Sequence, residues 1–169
     1  GQVLVQKGGA ERNYPASITK IMTLALAMEK CGGDMTQQVT VSPDAVYSLE
    51  AGSSHVALQP GEVVSLNDLF HATILASAND AANVLAEYTA GSMEAFVELM
   101  NAKAAELGLA GTHFVNANGL HSIDHYTLRH GPPDTVGDDG AGLFRVVRRN
   151  ILYHAAHQQA GAGASVWHR

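Results

Sequence analysis

Cysteine is nearly missing from this chain: Cys31 is the only one in 169 residues. An internal disulfide and a cysteine-rich zinc site are therefore excluded. Charge is sparse as well, at 15 % of residues, and the ten Lys and Arg are outnumbered by sixteen Asp and Glu. No basic stripe remains to follow a phosphate backbone, so no nucleic-acid partner is expected. Long apolar runs are absent too. The longest apolar-rich stretch, Ile21 to Met28, falls far short of the ~20 residues of a membrane span. The first residue is Gly1 rather than Met and no signal-peptide pattern follows it, so the chain reads as a processed or excised piece. What remains is a globular composition, 46 % apolar, at the length of one domain.

The chain is not uniform along its length. Residues 1–127 hold five basic and thirteen acidic residues, whereas residues 128–169 hold five and three. All four Lys precede residue 104, and five of the six Arg follow residue 128. The later part also carries Trp167, Gly131-Pro132-Pro133 and Gly161-Ala162-Gly163-Ala164. Such a shift marks a boundary. The expectation is one domain over 1–127 and an atypical tail over 128–169, frameshifted or disordered.

Periodicity and punctuation suggest the elements. Val3-Leu4-Val5 reads as a short strand. A helix is expected from Ser17 to about Lys30, with Ile18, Ile21, Met22, Ala25 and Met28 on its apolar face and Gly32-Gly33 as its stop. Val39 to Val41 and His55 to Leu58 look like strands, with Pro60-Gly61 as a turn. Ser65 to Asp68 resembles a capping box for a helix to about Ala76. Asn79-Asp80 can cap a helix over Ala81 to Thr89, and Ser92 another over Met93 to Leu107. The tail offers one candidate helix, Leu143 to Ala156.

Two short patterns carry chemistry. Ser17 and Lys20 are three residues apart at a helix start, so hydroxyl and amine share a face. A neutral lysine there could take the serine proton and make Ser17 a nucleophile. By itself this spacing is common, and the plainer reading is a cap followed by a solvated lysine. Ser77-Ala78-Asn79 falls on the connection between two helices. Alone, it too reads as a helix cap.

Taken together and in order, these patterns resemble a known family. Tyr14-Pro15-Ala16-Ser17-Ile18-Thr19-Lys20-Ile21-Met22-Thr23 is similar to the active-site segment of the serine D-alanyl-D-alanine carboxypeptidases. These are low-molecular-mass penicillin-binding proteins related to the S-x-x-K β-lactamases. The resemblance continues through Ala51 to Ser54, Leu58 to Glu62, Ser77 to Ala82, Met100-Asn101, Thr112 to Phe114 and Asn118 to His121, ending at His125-Tyr126-Thr127. It implies an α/β fold of the β-lactamase/DD-peptidase type, represented here mostly by the helical subdomain with an incomplete sheet. It also implies roles: Ser17 as nucleophile, with its backbone N–H as one oxyanion donor, Lys20 as general base, Ser77 as proton relay and Asn79 as a substrate-binding amide. The implied partners are peptidoglycan stem peptides and β-lactam antibiotics. The implied location is extracytoplasmic, and no metal or cofactor is required.

The sequence also departs from the family. The third family motif, Lys-Thr-Gly, binds the substrate carboxylate and supplies a second oxyanion donor. No Lys follows Lys103 here. The expectation is a chain truncated in its resemblance after about residue 127 and impaired as an enzyme. Three alternatives were weighed. One is a non-catalytic penicillin- or peptide-binding module. Another is a β-lactamase-like hydrolase, although no Glu-x-x-Leu-Asn pattern is present. The last is a metal site at His121, Asp124, His125 and His130, which lie in a polar loop.

Overall fold

The computed structural model describes residues 12–128. The expected strand at Val3 to Val5, the candidate helix at Leu143 to Ala156 and the whole tail lie outside the described residues. Five helices and five short strands follow in the order β1 (Arg12–Asn13), α1 (Thr19–Cys31), β2 (Gln38–Thr40), α2 (Pro43–Tyr47), β3 (Val63–Ser65), α3 (Leu66–Leu75), α4 (Asn79–Ala90), α5 (Met93–Glu106), β4 (Thr112–His113) and β5 (Tyr126–Leu128). A single 3-10 turn, Ala16–Ile18, leads into α1. The strands pair antiparallel, as a three-stranded sheet ordered β1-β5-β4 and a β2-β3 ribbon with Val39 opposite Val64.

Helix boundaries follow local chemistry. Gly32 closes α1 at φ 58°, as the Gly32-Gly33 stop predicts. The Ser65 hydroxyl accepts the Asp68 N–H at 3.1 Å to open α3, and Ser92 accepts the Ala95 N–H at 3.2 Å to open α5. Helix α2 was not foreseen, although Ser42-Pro43 spells its start: Ser42 caps Ala45 N–H at 3.0 Å and Pro43 fills the first turn.

Two expectations change. The segment His55 to Leu58 pairs with no strand. Its backbone N–H groups turn instead to one carboxylate, with Val56 and Leu58 donating to Asp80 at 3.2 and 3.0 Å. The partner of β2 is Val63–Ser65, after the Pro60-Gly61 turn, where Gly61 sits at φ 84°. Helix α4 starts two residues earlier than expected, at Asn79. Its N-cap is Ala78, which makes no side-chain cap, and Asp80 lies inside the first turn.

The core has two parts, and α1 and α4 contribute to both. On one side Leu24, Ala27, Leu66, Leu69, Phe70, Val84 and Leu85 pack together with Val41 and Ala45. On the other, Met22, Leu26 and Ala86 meet Phe96, Met100, Phe114 and Ala117. This explains why the buried surface of α1 is wider than the single stripe expected, while Ile18 is left exposed. Helix α4 is buried from Asn79 through Ala86. A helix enclosed on all sides needs small residues where neighbours approach, and Ala81, Ala82 and Ala86 provide them.

The polar residues within this enclosed run are fully engaged or face the site. Asp80 is 1 % exposed, and besides Val56 and Leu58 it accepts the Ala81 N–H at 2.9 Å. Removing that acceptor strands buried donors. Asp80→Ala should therefore lower the unfolding free energy by about 2–3 kcal/mol, and Asp80→Asn by about half as much, since the amide oxygen still accepts. Urea unfolding checks this. An Asp80→Ala midpoint equal to wild type would show that the 56–58 segment is held by other means.

Candidate active site

Ser17 stands in the 3-10 turn just ahead of α1, two residues before the helix proper. The turn preserves the expected spacing. Lys20 Nζ lies 3.4 Å from Ser17 Oγ, while Ser17 itself is exposed to solvent. The Lys20 side chain is buried, and its Nζ donates to the Asn118 carbonyl at 2.7 Å. Burial lowers its pKa from the ordinary lysine value to about 8. Among the described residues no carboxylate neutralises it, and a carbonyl dipole is its main partner.

That carbonyl belongs to a loop built for rigidity. Asn116 Oδ1 accepts from the Asn118 and Gly119 N–H groups at 3.3 and 2.7 Å. The Asn116 amide donates to Leu120 O at 2.9 Å, and Asn118 Oδ1 accepts the Leu120 N–H at 2.9 Å. One residue earlier, the Ala117 carbonyl accepts the Thr23 hydroxyl at 2.6 Å. The Asn118 amide donates to Asn83 on α4 at 3.0 Å, and Asn83 donates onward to Ala45 O at 3.1 Å. Gly119 passes the Ser17 turn so closely, at φ 88°, that a Cβ there would overlap the Ala16 carbonyl. Only glycine meets both demands.

The third group arrives from the other side. Ser77 Oγ donates to Ser17 Oγ at 3.0 Å, across sixty residues of sequence. Its backbone is left-handed, at φ 52°, a conformation that costs a non-glycine residue energy. Ser54 holds it there: its hydroxyl donates to Ala76 O at 2.8 Å and its carbonyl accepts the Asn79 N–H at 2.8 Å. The Asp80 carboxylate anchors the same segment two residues further on. Asn79 is buried at the start of α4, two residues after Ser77, and among the described residues its side-chain amide makes no hydrogen bond.

Of the four residues singled out by sequence, three meet at one point and Asn79 lies next to them. Asn118, Gly119, Asn83, Ser54 and Asp80 were not assigned roles. Asn116-Ala117-Asn118-Gly119 reads locally as a run of Asx turns, and nothing in that run says which lysine its carbonyls face. Of the candidate metal-site residues, His130 lies outside the described residues, and His121 and His125 point to different partners. His125 is buried between Thr19 and Val115, and His121 meets Tyr14 edge-on at 4.5 Å. Among the described residues, no three potential ligands cluster.

The chain is similar to known proteins over most of its length. The chain is 39 % identical over 127 residues to the D-alanyl-D-alanine carboxypeptidase DacF of Bacillus subtilis, and 42 % identical over 133 residues to DacC of Escherichia coli. Each match covers 75 % of this chain, and the chain spans about a third, 33 %, of the length of each relative. Among solved structures, the fold superposes on the carboxypeptidase DacD of Francisella tularensis with a TM-score of 0.75 at 31 % identity, covering 91 % of this chain and 35 % of that one. Penicillin binding protein 5 of Haemophilus influenzae gives 0.76 at 30 %, covering 91 % and 43 %. The peptidase S11 family model, that of D-alanyl-D-alanine carboxypeptidases, matches residues 1–130, and the chain belongs to that family, with its β-lactamase/DD-peptidase-like α/β fold.

Proposed function

We propose that this chain carries the nucleophile side of a serine D-alanyl-D-alanine carboxypeptidase acting on peptidoglycan stem peptides. One observation carries the reading: the Ser17 hydroxyl lies 3.4 Å from an amine that burial has brought to a pKa of about 8. At pH 7 such an amine is unprotonated about a tenth of the time, against about one part in three thousand for an ordinary lysine. A usable base therefore stands within reach of a usable nucleophile.

The steps follow from the positions. Lys20 Nζ accepts the Ser17 proton as Oγ bonds to the carbonyl carbon of the penultimate D-Ala. Negative charge moves to the carbonyl oxygen, where the Ser17 N–H is the nearest proposed donor. Collapse breaks the peptide bond, and the departing D-Ala amine takes the proton from Lys20 by way of the Ser77 hydroxyl. Water, activated by the same lysine, then hydrolyses the ester. Asn79, with both a donor and an acceptor unused, binds the peptide backbone of the substrate. A β-lactam carbonyl acylates the same oxygen, but its amine stays tethered. The substrate belongs to the cell wall, so the reading places the protein outside the cytoplasm.

Four outcomes test this. After incubation with benzylpenicillin, mass spectrometry should find one slowly hydrolysed adduct on the peptide containing Ser17, and none in Ser17→Ala. An adduct elsewhere, or none on the wild type, would overturn the assignment, and rapid turnover would point to a β-lactamase instead. The acylation rate should rise with pH to a plateau above about 8, because protonated Lys20 cannot accept a proton; below that midpoint it falls about tenfold per unit. Lys20→Arg should be as slow as Lys20→Ala, since a guanidinium stays protonated. An arginine variant that keeps most of the rate would reduce Lys20 to a fixed charge. Finally, the 169-residue sequence holds no Lys-Thr-Gly. Loss of one oxyanion donor should leave its D-Ala release from a diacetyl-Lys-D-Ala-D-Ala peptide ~10²–10³-fold below that of a full-length relative. Equal rates would show that the tail supplies that wall.

A further inference from the structure

The steps above leave a buried, titratable histidine unused. His125 is 1 % exposed and stands edge-on to Phe114, with ring centres 5.6 Å apart. Both ring nitrogens are occupied. Nδ1 accepts the Val115 N–H at 3.1 Å, so the proton of a neutral ring resides on Nε2, which donates to Thr19 Oγ1 at 2.7 Å. Thr19 is wholly buried, is the first residue of α1, and lies between Ser17 and Lys20 in sequence. Val115 starts the strap whose next carbonyls, at Ala117 and Asn118, receive Thr23 and Lys20. The imidazole thus ties the first turn of the catalytic helix to the base of the loop that faces Lys20.

We propose that neutral His125 is a positioning residue that holds the Asn118 carbonyl against the Lys20 amine. The inference rests on the reading of Lys20 as the base. An imidazolium does not fit this place, because Nδ1–H would oppose the Val115 N–H. Burial, with His113 on β4 adding to it, lowers the His125 pKa to about 4, so the ring stays neutral through the working range. Among the described residues its partners are Thr19, Val115 and Phe114, none of them a carboxylate. With the imidazole removed, the strap keeps only the Thr23 and Lys20 bonds to α1, so the Asn118 carbonyl is held less firmly against Nζ.

The test reads Lys20 directly. The chain has four lysines, so ¹³Cε-lysine labelling yields a spectrum in which Lys20 is assigned by its loss in Lys20→Arg. In the wild type the Lys20 signal should titrate at about 8. In His125→Ala the midpoint should rise by about one unit or more, toward that of a hydrated lysine. In His125→Gln it should stay near the wild-type value, since the amide remains neutral and can donate to Thr19. Thr19→Val and Thr19→Ser form a second pair should His125→Ala fail to fold: valine removes the acceptor and should raise the midpoint, while serine keeps it. A folded His125→Ala or Thr19→Val variant with the wild-type midpoint would overturn the proposal, leaving His125 a packing residue. The penicillin adduct on Ser17 reports separately on the function, so the two readings can fail independently.

Discussion

An amine taken out of water is the constraint around which this structure is arranged. A lysine ammonium is costly to bury without a partner, and a carboxylate partner would have kept it protonated. Here the partner is the Asn118 carbonyl at 2.7 Å, a dipole with no formal charge. It orients Nζ and leaves the proton easy to lose. Everything that keeps this carbonyl in place also sets the chemistry of Ser17.

Helix α4 is the scaffold for that arrangement. Enclosed by α1, α2, α3 and α5, it spends its few buried polar residues on loops rather than on core. Asp80 gathers the 56–58 segment, and with Ser54 this brackets the left-handed Ser77. Asn83 links α2 to Asn118. Two of the site's walls, the Ser77 turn and the Asn118 loop, are therefore referenced to the same helix, while Ser17 and Lys20 ride on α1 packed beside it. Catalytic groups drawn from three separate stretches of chain need such a common frame, because an ångström of misplacement weakens proton transfer sharply. Glycine at position 119 lets the last of these stretches come close enough.

Much of the frame was legible in local sequence. Ser65 and Ser92 announced their helices, Gly32 ended α1, and the i, i+3 spacing of Ser17 and Lys20 survived even though a 3-10 turn replaced the expected helix start. These features depend on neighbours within one turn, where residue type and geometry are closely coupled. Where the reading went astray, a distant group had intervened. His55 to Leu58 has the pattern of a strand, yet its N–H groups answer to a carboxylate more than twenty residues away. Asp80, which looked like a cap, does accept the Ala81 N–H of its own first turn but gives the rest of its carboxylate to Val56 and Leu58.

By itself, then, the sequence determined four of the five described helices, the candidate nucleophile and base, and, through resemblance, the family and its fold. What only the tertiary structure decided is the state of those groups. Nothing in Ser-Ile-Thr-Lys says whether the lysine is hydrated or buried, and a hydrated one would be no base at neutral pH. Its burial, its carbonyl partner from residue 118, and the 3.0 Å approach of Ser77 all come from long-range packing. The pKa of a side chain follows its dielectric surroundings and neighbouring dipoles, and those are properties of the folded chain rather than of any segment.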